Sequence, residues 1–144
     1  MKIYIASDHR GFELKTSIIE YLKTKEMSVE DLGPFKYDSE DDYPLFAHKT
    51  ANKVLETKNS FGILVCDTGL GMDITANRHK GIRAALCIDS FFAYRARLHN
   101  NANILVLSAE YDKLDFKEII VTFFHTEHSL EPRHNRRIKE IDQL

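Results

Sequence analysis

The sequence predicts an α/β fold: strands alternating with helices, the strands lying parallel in one sheet and joined by right-handed crossovers. Three observations carry this. Short β-rich runs recur at 2–7, 28–32, 61–65, 81–88 and 104–107, separated by segments whose apolar residues repeat at helical spacing. The middle run, Phe61 to Val65, is continuously apolar, with the length and β-branched content of a strand buried on both faces. Straight after it come Cys66, Asp67, Thr68, Gly69 and Gly71, and then a segment that is helix-compatible from about Met72. A strand, a tight glycine turn and a helix start aim backbone N–H groups beyond the strand's carboxyl end, which is where α/β folds bind ligands.

In order along the chain, KIYIAS at Lys2 to Ser7 is the first strand and ends in the polar loop Asp8–His9–Arg10–Gly11. Phe12, Leu14, Ile18, Ile19 and Leu22 then recur at helical spacing. Ser28 to Leu32 is a weaker strand closed by Gly33–Pro34, and Lys36 to Asp42, charged and without periodicity, reads as a surface loop. Tyr43–Pro44 opens a second helix with Phe46, Ala47, Thr50, Ala51, Val54 and Leu55 on one face. The helix after the glycine turn runs to about His79, and GIRAALCI at Gly81 to Ile88 is the fourth strand. Asp89 or Ser90 caps a helix carrying Phe91, Tyr94, Ala96 and Leu98. The polar stretch His99 to Asn103 is then a loop, Ile104 to Leu107 the fifth strand, and Asp115 to Phe124 a helix. A last helix runs from Glu131 to the end, with Pro132 in its first turn. On this reading three loops at one edge of the sheet carry chemistry: Asp8–His9, Cys66 to Gly71, and His99–Asn100.

Length and composition bound the function. A chain of 144 residues is expected to be one domain, residues 1–144, that buries roughly 68–70% of its extended surface without a disulfide. Cys66 and Cys87 each end an apolar run and stand in no CxxC or Cys/His metal spacing, so they read as reduced thiols in a cytoplasmic protein. No run approaches the ~20 apolar residues of a membrane span, and the apolar stretch after Met1–Lys2 is too short for a signal peptide. A formal net charge of −2 argues against nucleic acid as a partner. One basic cluster stands out near the C-terminus, Arg133, Arg136, Arg137 and Lys139 with His134. Taken alone it is a solvated helix face with pairs such as Arg136 to Glu140.

Familiar readings of the glycine turn fail in turn. A P-loop needs a Lys that does not follow Gly71, and a cysteine phosphatase of the Cys-x5-Arg kind needs Arg where Met72 stands. The dinucleotide fingerprint fits at Gly69 and Gly71 but has Ile74 for its third glycine. What the turn does have is a thiol and a hydroxyl on its lip, Cys66 and Thr68, equipment for moving a proton beside a stabilised negative charge. Each polar residue also has a plain structural reading: Cys66 as a small buried hydrophobe, His99 as a cation on a helix C-terminus, Asp8 as a helix cap. Their expected coincidence at one sheet edge favours a site.

These blocks resemble the ribose-5-phosphate isomerase B family, which also includes the galactose-6-phosphate isomerase subunits and allose-6-phosphate isomerases. The resemblance covers nearly the whole chain through SDHRGFELK, DYPLFA, CDTGLGMDITANR, GIRAALC, RLHNNANILVL and PRHNRR, in the family's order and spacing. It implies a Rossmann-like three-layer α/β/α sandwich with a five-stranded parallel sheet, working as a homodimer or homotetramer with sites between subunits. It implies aldose–ketose isomerisation of a sugar phosphate through an enediolate, with ribose 5-phosphate the expected substrate and no metal or other cofactor. Residue by residue, Cys66 matches the base, Thr68 the hydroxyl that passes protons between oxygens, and Asp67, Gly69, Leu70 and Gly71 the anion hole. His99 matches the residue that opens the furanose ring and Asn100 a sugar contact. Asp8 and His9 match ligands of the sugar ring and phosphate, and Arg133 and Arg137 ligands of the phosphate. Met72 stands where a cysteine-lacking branch carries a glutamate, which places the chain with the cysteine users.

Two positions depart from the pattern: Asp67 replaces the usual glycine, and Glu110 stands where many members carry a phosphate-binding arginine. Both put negative charge where substrate or intermediate is negative. Asp67 is therefore expected to raise the thiol's pKa, against a helix N-terminus expected to lower it toward a usable thiolate. The alternative these residues raise is a non-catalytic sugar-phosphate-binding protein, or an inactive partner subunit.

Overall fold

The structure, a computed structural model, describes residues 1–143. In chain order its elements are β1 (Lys2–Ser7), α1 (Phe12–Thr24), β2 (Ser28–Asp31), α2 (Tyr43–Glu56), β3 (Ser60–Cys66) and α3 (Leu70–Ala76). They continue with β4 (Ala84–Leu86), α4 (Ser90–Asn100), β5 (Ile104–Ser108), α5 (Phe116–His125) and α6 (Pro132–Ile141). The strands form one sheet in the order β2-β1-β3-β5-β4, every pairing parallel. The three-layer α/β/α arrangement expected from sequence is the one observed.

Alternation along the buried strands divides the core in two. Ile3, Ile5, Ile63, Val65, Leu105 and Leu107 face one way and pack with Ile18, Leu22, Ala93, Ala96, Ile119 and Phe123, so α1, α4 and α5 cover that face. Tyr4, Ala6, Leu64, Cys66, Ile104 and Val106 face the other way, against Ala47, Ala51, Val54, Met72 and Ala76 of α2 and α3. Each fully buried aliphatic or aromatic side chain contributes about 1.5–3 kcal/mol. No helix among the described residues is long and apolar enough to cross a membrane.

Several boundaries differ from the sequence reading, each for a local reason. The fourth strand is only Ala84–Leu86, because Gly81 sits at φ +86° and Ile82 N–H closes a turn on the His79 carbonyl. α3 starts earlier than expected, at Leu70, and ends at Ala76. α4 takes Asp89 as its cap, through the Phe92 N–H. That helix continues through His99 and Asn100, which are not loop residues, and ends where Asn101 turns left-handed at φ 47°. It buries the small residues Ala93 and Ala96, and of the residues named on it from sequence Phe91 and Tyr94 stay exposed. Leu55 of α2 is likewise exposed. The last expected position of the final helix, 144, lies outside the described residues.

Candidate active site

Chain order and sheet order together fix where a ligand goes. From β1 the chain moves by α1 to β2 on one side, while β3 pairs on the other side of β1. The carboxyl ends of β1 and β3 are therefore the switch point of this sheet, where α/β folds open a crevice. The loops leaving it are Asp8–Gly11 and Asp67–Gly69. They are drawn close: the Asp8 N–H donates to the Val65 carbonyl, and a Cβ on Gly11 would stand 2.5 Å from the same oxygen. Gly69 takes φ +82°, a region side chains resist, and a Cβ there would meet Leu86 Cδ1 at 2.6 Å. The Tyr43 ring closes over Gly71, and Thr68 Oγ1 accepts from the Leu70 N–H at 3.3 Å.

At the floor of the crevice the Cys66 thiol donates to Asp8 Oδ2 at 3.0 Å, in a buried contact, while Asp8 Oδ1 accepts from the Gly11 N–H at 2.8 Å. The expectation that Asp8 caps α1 is corrected: the N-cap residue is Gly11, without a side-chain cap bond, and Asp8 instead closes the turn ahead of the helix through the Gly11 N–H. Burial first, then the Asp8 hydrogen bond and charge, push the Cys66 thiol up to about 12. The N–H groups of Gly69 and Asp67 pull it the other way but do not prevail. The expectation of a thiolate at neutral pH is therefore corrected: α3 has 7 residues, too short for a strong macrodipole, and the sulfur stands against a carboxylate.

The expectation that Asp67 raises the thiol is corrected as well. The Asp67 side chain points to the surface, where Arg10 Nε donates to Oδ1 at 3.1 Å, and Arg10 Nη2 donates to Glu110 Oε2 at 3.3 Å. One guanidinium thus spans both Asp67 and Glu110, the two positions where the sequence reading expected a departure. The backbone at 67 is not among the positive-φ positions, so aspartate imposes no strain there. Glu110 N–H and Ser108 Oγ both donate to the Asp67 carbonyl, tying the end of β5 to the turn. His9 completes this side. Its Nδ1 lies 2.7 Å from Asp41 Oδ1, its ring meets Tyr37 edge-on at 6.0 Å, and the hydrogen bond to Asp41 holds its pKa above the usual histidine range. An open cleft of about 420 Å³ is lined by His9, Arg10, Tyr37, Asp67 and Glu110, with Phe12, Glu13 and Ala109 completing it.

The remaining site residues are elsewhere. α4 begins beside the carboxyl end of β4 and runs back across the sheet for 11 residues, about 16 Å. Its last turn, with His99 and Asn100, lies at the amino edge, where Arg83 Nε donates to the Asn100 carbonyl just ahead of β4. The expectation that His99–Asn100 share an edge with Cys66 is overturned, since a crossover helix must return the chain to the start of the next strand. There His99 stacks on His134 at 4.3 Å with the rings 8° from parallel, and its Nε2 accepts from Arg95 at 3.0 Å. Partial burial first, then the fields of His134, Arg95 and Arg133, draw His99 below the ordinary histidine range. Arg133 is exposed and pairs with Glu131 at 2.7 Å, and Arg137 is exposed on the same helix. The sequence-predicted site residues thus fall into two groups: Asp8, His9, Cys66, Asp67, Thr68, Gly69, Leu70 and Gly71 at the carboxyl edge, and His99, Asn100, Arg133 and Arg137 at the other.

Sequence reasoning missed Arg10 and Asp41. Arg10 was in view inside the DHRG block, but its partners are 57 and 100 residues away. Asp41 lay in a segment whose acidity read as solvation, although its side chain is only 7% exposed.

Comparison with known proteins agrees with this geometry. Residues 3–141 match the Ribose/Galactose Isomerase family model. A ribose 5-phosphate isomerase from Thermotoga maritima superposes with a TM-score of 0.93 at 49% identity, covering 99% of this chain and 98% of the other. Ribose-5-phosphate isomerase B from Mycoplasma genitalium, solved with bound ribulose-5-phosphate, superposes with a TM-score of 0.92 at 42% identity, covering 99% and 94%. A relative from Mycolicibacterium paratuberculosis named ribose-5-phosphate isomerase B is 38% identical over 139 residues, 96% of this chain and 87% of its own length. With a match over nearly all of its length and the fold in common, the chain belongs to the Ribose/Galactose Isomerase family.

Proposed function

We infer that the protein is an aldose–ketose isomerase of sugar phosphates that interconverts ribose 5-phosphate and ribulose 5-phosphate through an enediolate, without a cofactor. The observation that carries this is the buried Cys66–Asp8 pair beneath the glycine turn, in a chain of this family. The pair holds the thiol proton between sulfur and carboxylate, so the base is generated by moving that proton onto Asp8. The thiolate takes the proton from C2 of the open-chain aldose. The electrons left behind form the enediolate, whose charge is met by the N–H groups of the turn from Asp67 to Gly71. Thr68 passes the hydroxyl proton from one oxygen to the other, and the thiol returns its proton to C1 to give the ketose. Asp8 then gives back the proton it stored, so nothing is gained or lost.

Ring opening by His99 and phosphate binding by Arg133 and Arg137 require those residues at the same sugar as Cys66. A crossover helix separates them within one chain. The same reading therefore makes the protein a homodimer or homotetramer in which a second copy brings its α4 and α6 to the crevice. The exposed side chains Leu70, Ile74, Phe91 and Phe92, on α3 and α4 beside the edge strand β4, are apolar surface for such a contact. The enzyme works in the cytoplasm on this reading, where both buried thiols stay reduced.

The second reading, a non-catalytic sugar-phosphate binder, is favoured by the carboxylates of Asp67 and Glu110 beside the cleft. Arg10 bridges both and weakens that objection. Incubating the purified protein with four-, five- and six-carbon aldose phosphates and measuring ketose separates the readings. Turnover of the pentose is expected, and tight binding of every substrate with none converted would favour the binder.

A further inference from the structure

We propose that Asp41 is a positioning residue for substrate binding: by accepting the Nδ1–H of His9 it fixes the imidazole at the cleft wall and leaves Nε2 to meet the substrate's phosphate. The proposal rests on the isomerase reading for the identity of the ligand, and on this chain's own geometry for the device.

The His9–Asp41 contact is short, 2.7 Å, and the carboxylate is nearly enclosed. Its second oxygen, Asp41 Oδ2, is buried without a hydrogen-bond partner among the described residues. A carboxylate that has lost half its solvation and keeps one donor holds that donor strongly, because releasing it would strand a buried charge. Tyr37, from the same loop, meets the His9 ring edge-on and limits its rotation. The acidic segment between β2 and α2 is therefore a clamp on His9 from two sides. Nδ1 is taken, and Nε2 has no hydrogen-bond partner among the described residues, while the ring lines the open cleft with Arg10.

The groups around the ring act in opposing directions, and the carboxylates prevail. Asp41 from the loop and Asp8 from the end of β1 favour the cation, whereas partial burial and Arg10 oppose it, with the hydrogen bond to Asp41 the largest effect. Glu13, Asp67 and Glu110 line the same cleft, and Arg10 is held by the last two. In a cleft where carboxylates occupy the arginine, a second cation that does not depend on it is what an anionic ligand needs. His9 without Asp41 would be neutral over much of the range above pH 7, with one ring nitrogen an acceptor that repels phosphate.

The test uses the full chain and the variants Asp41→Asn and Asp41→Ala. The His9 imidazole is titrated by NMR, inorganic phosphate affinity is measured against pH, and KM and kcat for ribose 5-phosphate are measured over the same range. In the wild type the His9 midpoint should lie above the ordinary histidine value, and in both variants it should fall. Near about pH 5.5, where the ring is protonated in every form, phosphate affinity and KM should match the wild type. Near pH 8 both should worsen by roughly three- to tenfold, with kcat within about twofold. An unmoved His9 titration, a binding loss equal at every pH, or a fall in kcat at constant KM would each overturn the proposal. Should the wild type convert no aldose phosphate, the isomerase reading fails, while the His9 titration and the phosphate isotherms still decide the role of Asp41.

Discussion

The two edges of the sheet are built in opposite ways. At the carboxyl edge the chemistry is buried and over-determined: Asp8 and Cys66 are each less than a tenth exposed and hydrogen-bonded to one another, and glycines at 11 and 69 sit where a Cβ would collide. At the amino edge Arg133 and Arg137 stand in solvent on one helix, and His99 is held by a stack on His134 and a long arginine. A buried pair that must move a proton needs rigidity supplied by the fold. An exposed cationic surface needs only to be present when an anion, or a second copy of the chain, arrives. On the proposed reading neither edge alone is a complete isomerase site, and the contrast then says that the fold builds the base within one chain and leaves the proposed phosphate and ring-opening groups to a second copy.

The largest expected effect breaks the carboxyl edge. Cys66→Ala removes the base and should lower isomerisation by about 10²–10⁴-fold, with solvent-deuterium exchange at C2 lost in parallel. The variant should still fold, though Asp8 Oδ2 loses its donor at a cost of about 1–3 kcal/mol. Full exchange activity in the variant would take Cys66 out of the mechanism. Asp8→Asn separates the pair's two roles. Its neutral amide removes a carboxylate that raises the thiol, so alkylation of Cys66 should reach half-maximal rate at a lower pH than in wild type. Burial, the first cause, remains, so the midpoint should stay above that of a free thiol. Isomerisation should nonetheless fall, because the store for the thiol proton is gone. An unchanged alkylation profile would mean that the hydrogen bond does not act on the sulfur.

The contrast between the edges sharpens further if the halves are supplied by different copies. Cys66→Ala and His99→Asn are each expected to be poor enzymes on cyclic substrate. Mixed and allowed to exchange subunits, they should regain roughly a quarter of wild-type sites, since half the dimers are hybrids and each hybrid has one intact site. No recovery, with exchange demonstrated, would place His99 at the site of its own chain or outside catalysis. Arg137→Ala and Arg133→Ala should act on KM, by about one to two orders of magnitude, because a phosphate contact is made equally in ground and transition states. An unchanged KM would return the cluster to a solvated helix face.

How much of this was legible in the sequence follows from the range of the interactions involved. Strands, the glycine turn and the helices flanking it are written in local patterns, and all five strands were found. The fourth was read too long because Gly81, its first expected residue, belongs to a turn set by φ +86°. On α4 the sequence draws attention to Phe91 and Tyr94, which stay exposed, while of the two buried residues Ala96 is in the expected set and Ala93, too small to stand out, is not. The residues of the glycine turn were identifiable from chemistry, but the Asp8–Cys66 bond joins residues 58 apart and is set by the β1–β3 register. The place of His99 at the amino edge is legible in the order of elements. A segment that follows a crossover helix and precedes a strand lies at that strand's amino end, and this rule needs no coordinates.

The smallest effect concerns Asp67, where the sequence reading expected a handicap. Were its carboxylate turned toward the sulfur, Asp67→Gly would lower the thiol's pKa and raise kcat. In the structure that carboxylate instead accepts from Arg10, and Asp67 contributes to Cys66 only a backbone N–H, which glycine supplies equally well. The expected change in kcat is therefore slight, and the pH at which Cys66 is alkylated should not move. What does change is Arg10. Freed from one of two carboxylates on the cleft wall, it gains positive field toward the phosphate. Exposed pairs of this kind are worth about 0–1 kcal/mol, so KM should fall by at most about fivefold, and less at high salt. Glu110→Arg should produce the same direction by replacing an acid with a base, but it also sets two guanidinium groups side by side. The double variant should therefore gain less than the two single effects multiplied together. KM and kcat for wild type, both single variants and the double, at two salt concentrations, provide the check. If Asp67→Gly lowers kcat on every aldose phosphate tested while KM holds, Asp67 contacts the reacting substrate, and the bridge to Arg10 is a resting contact that substrate displaces.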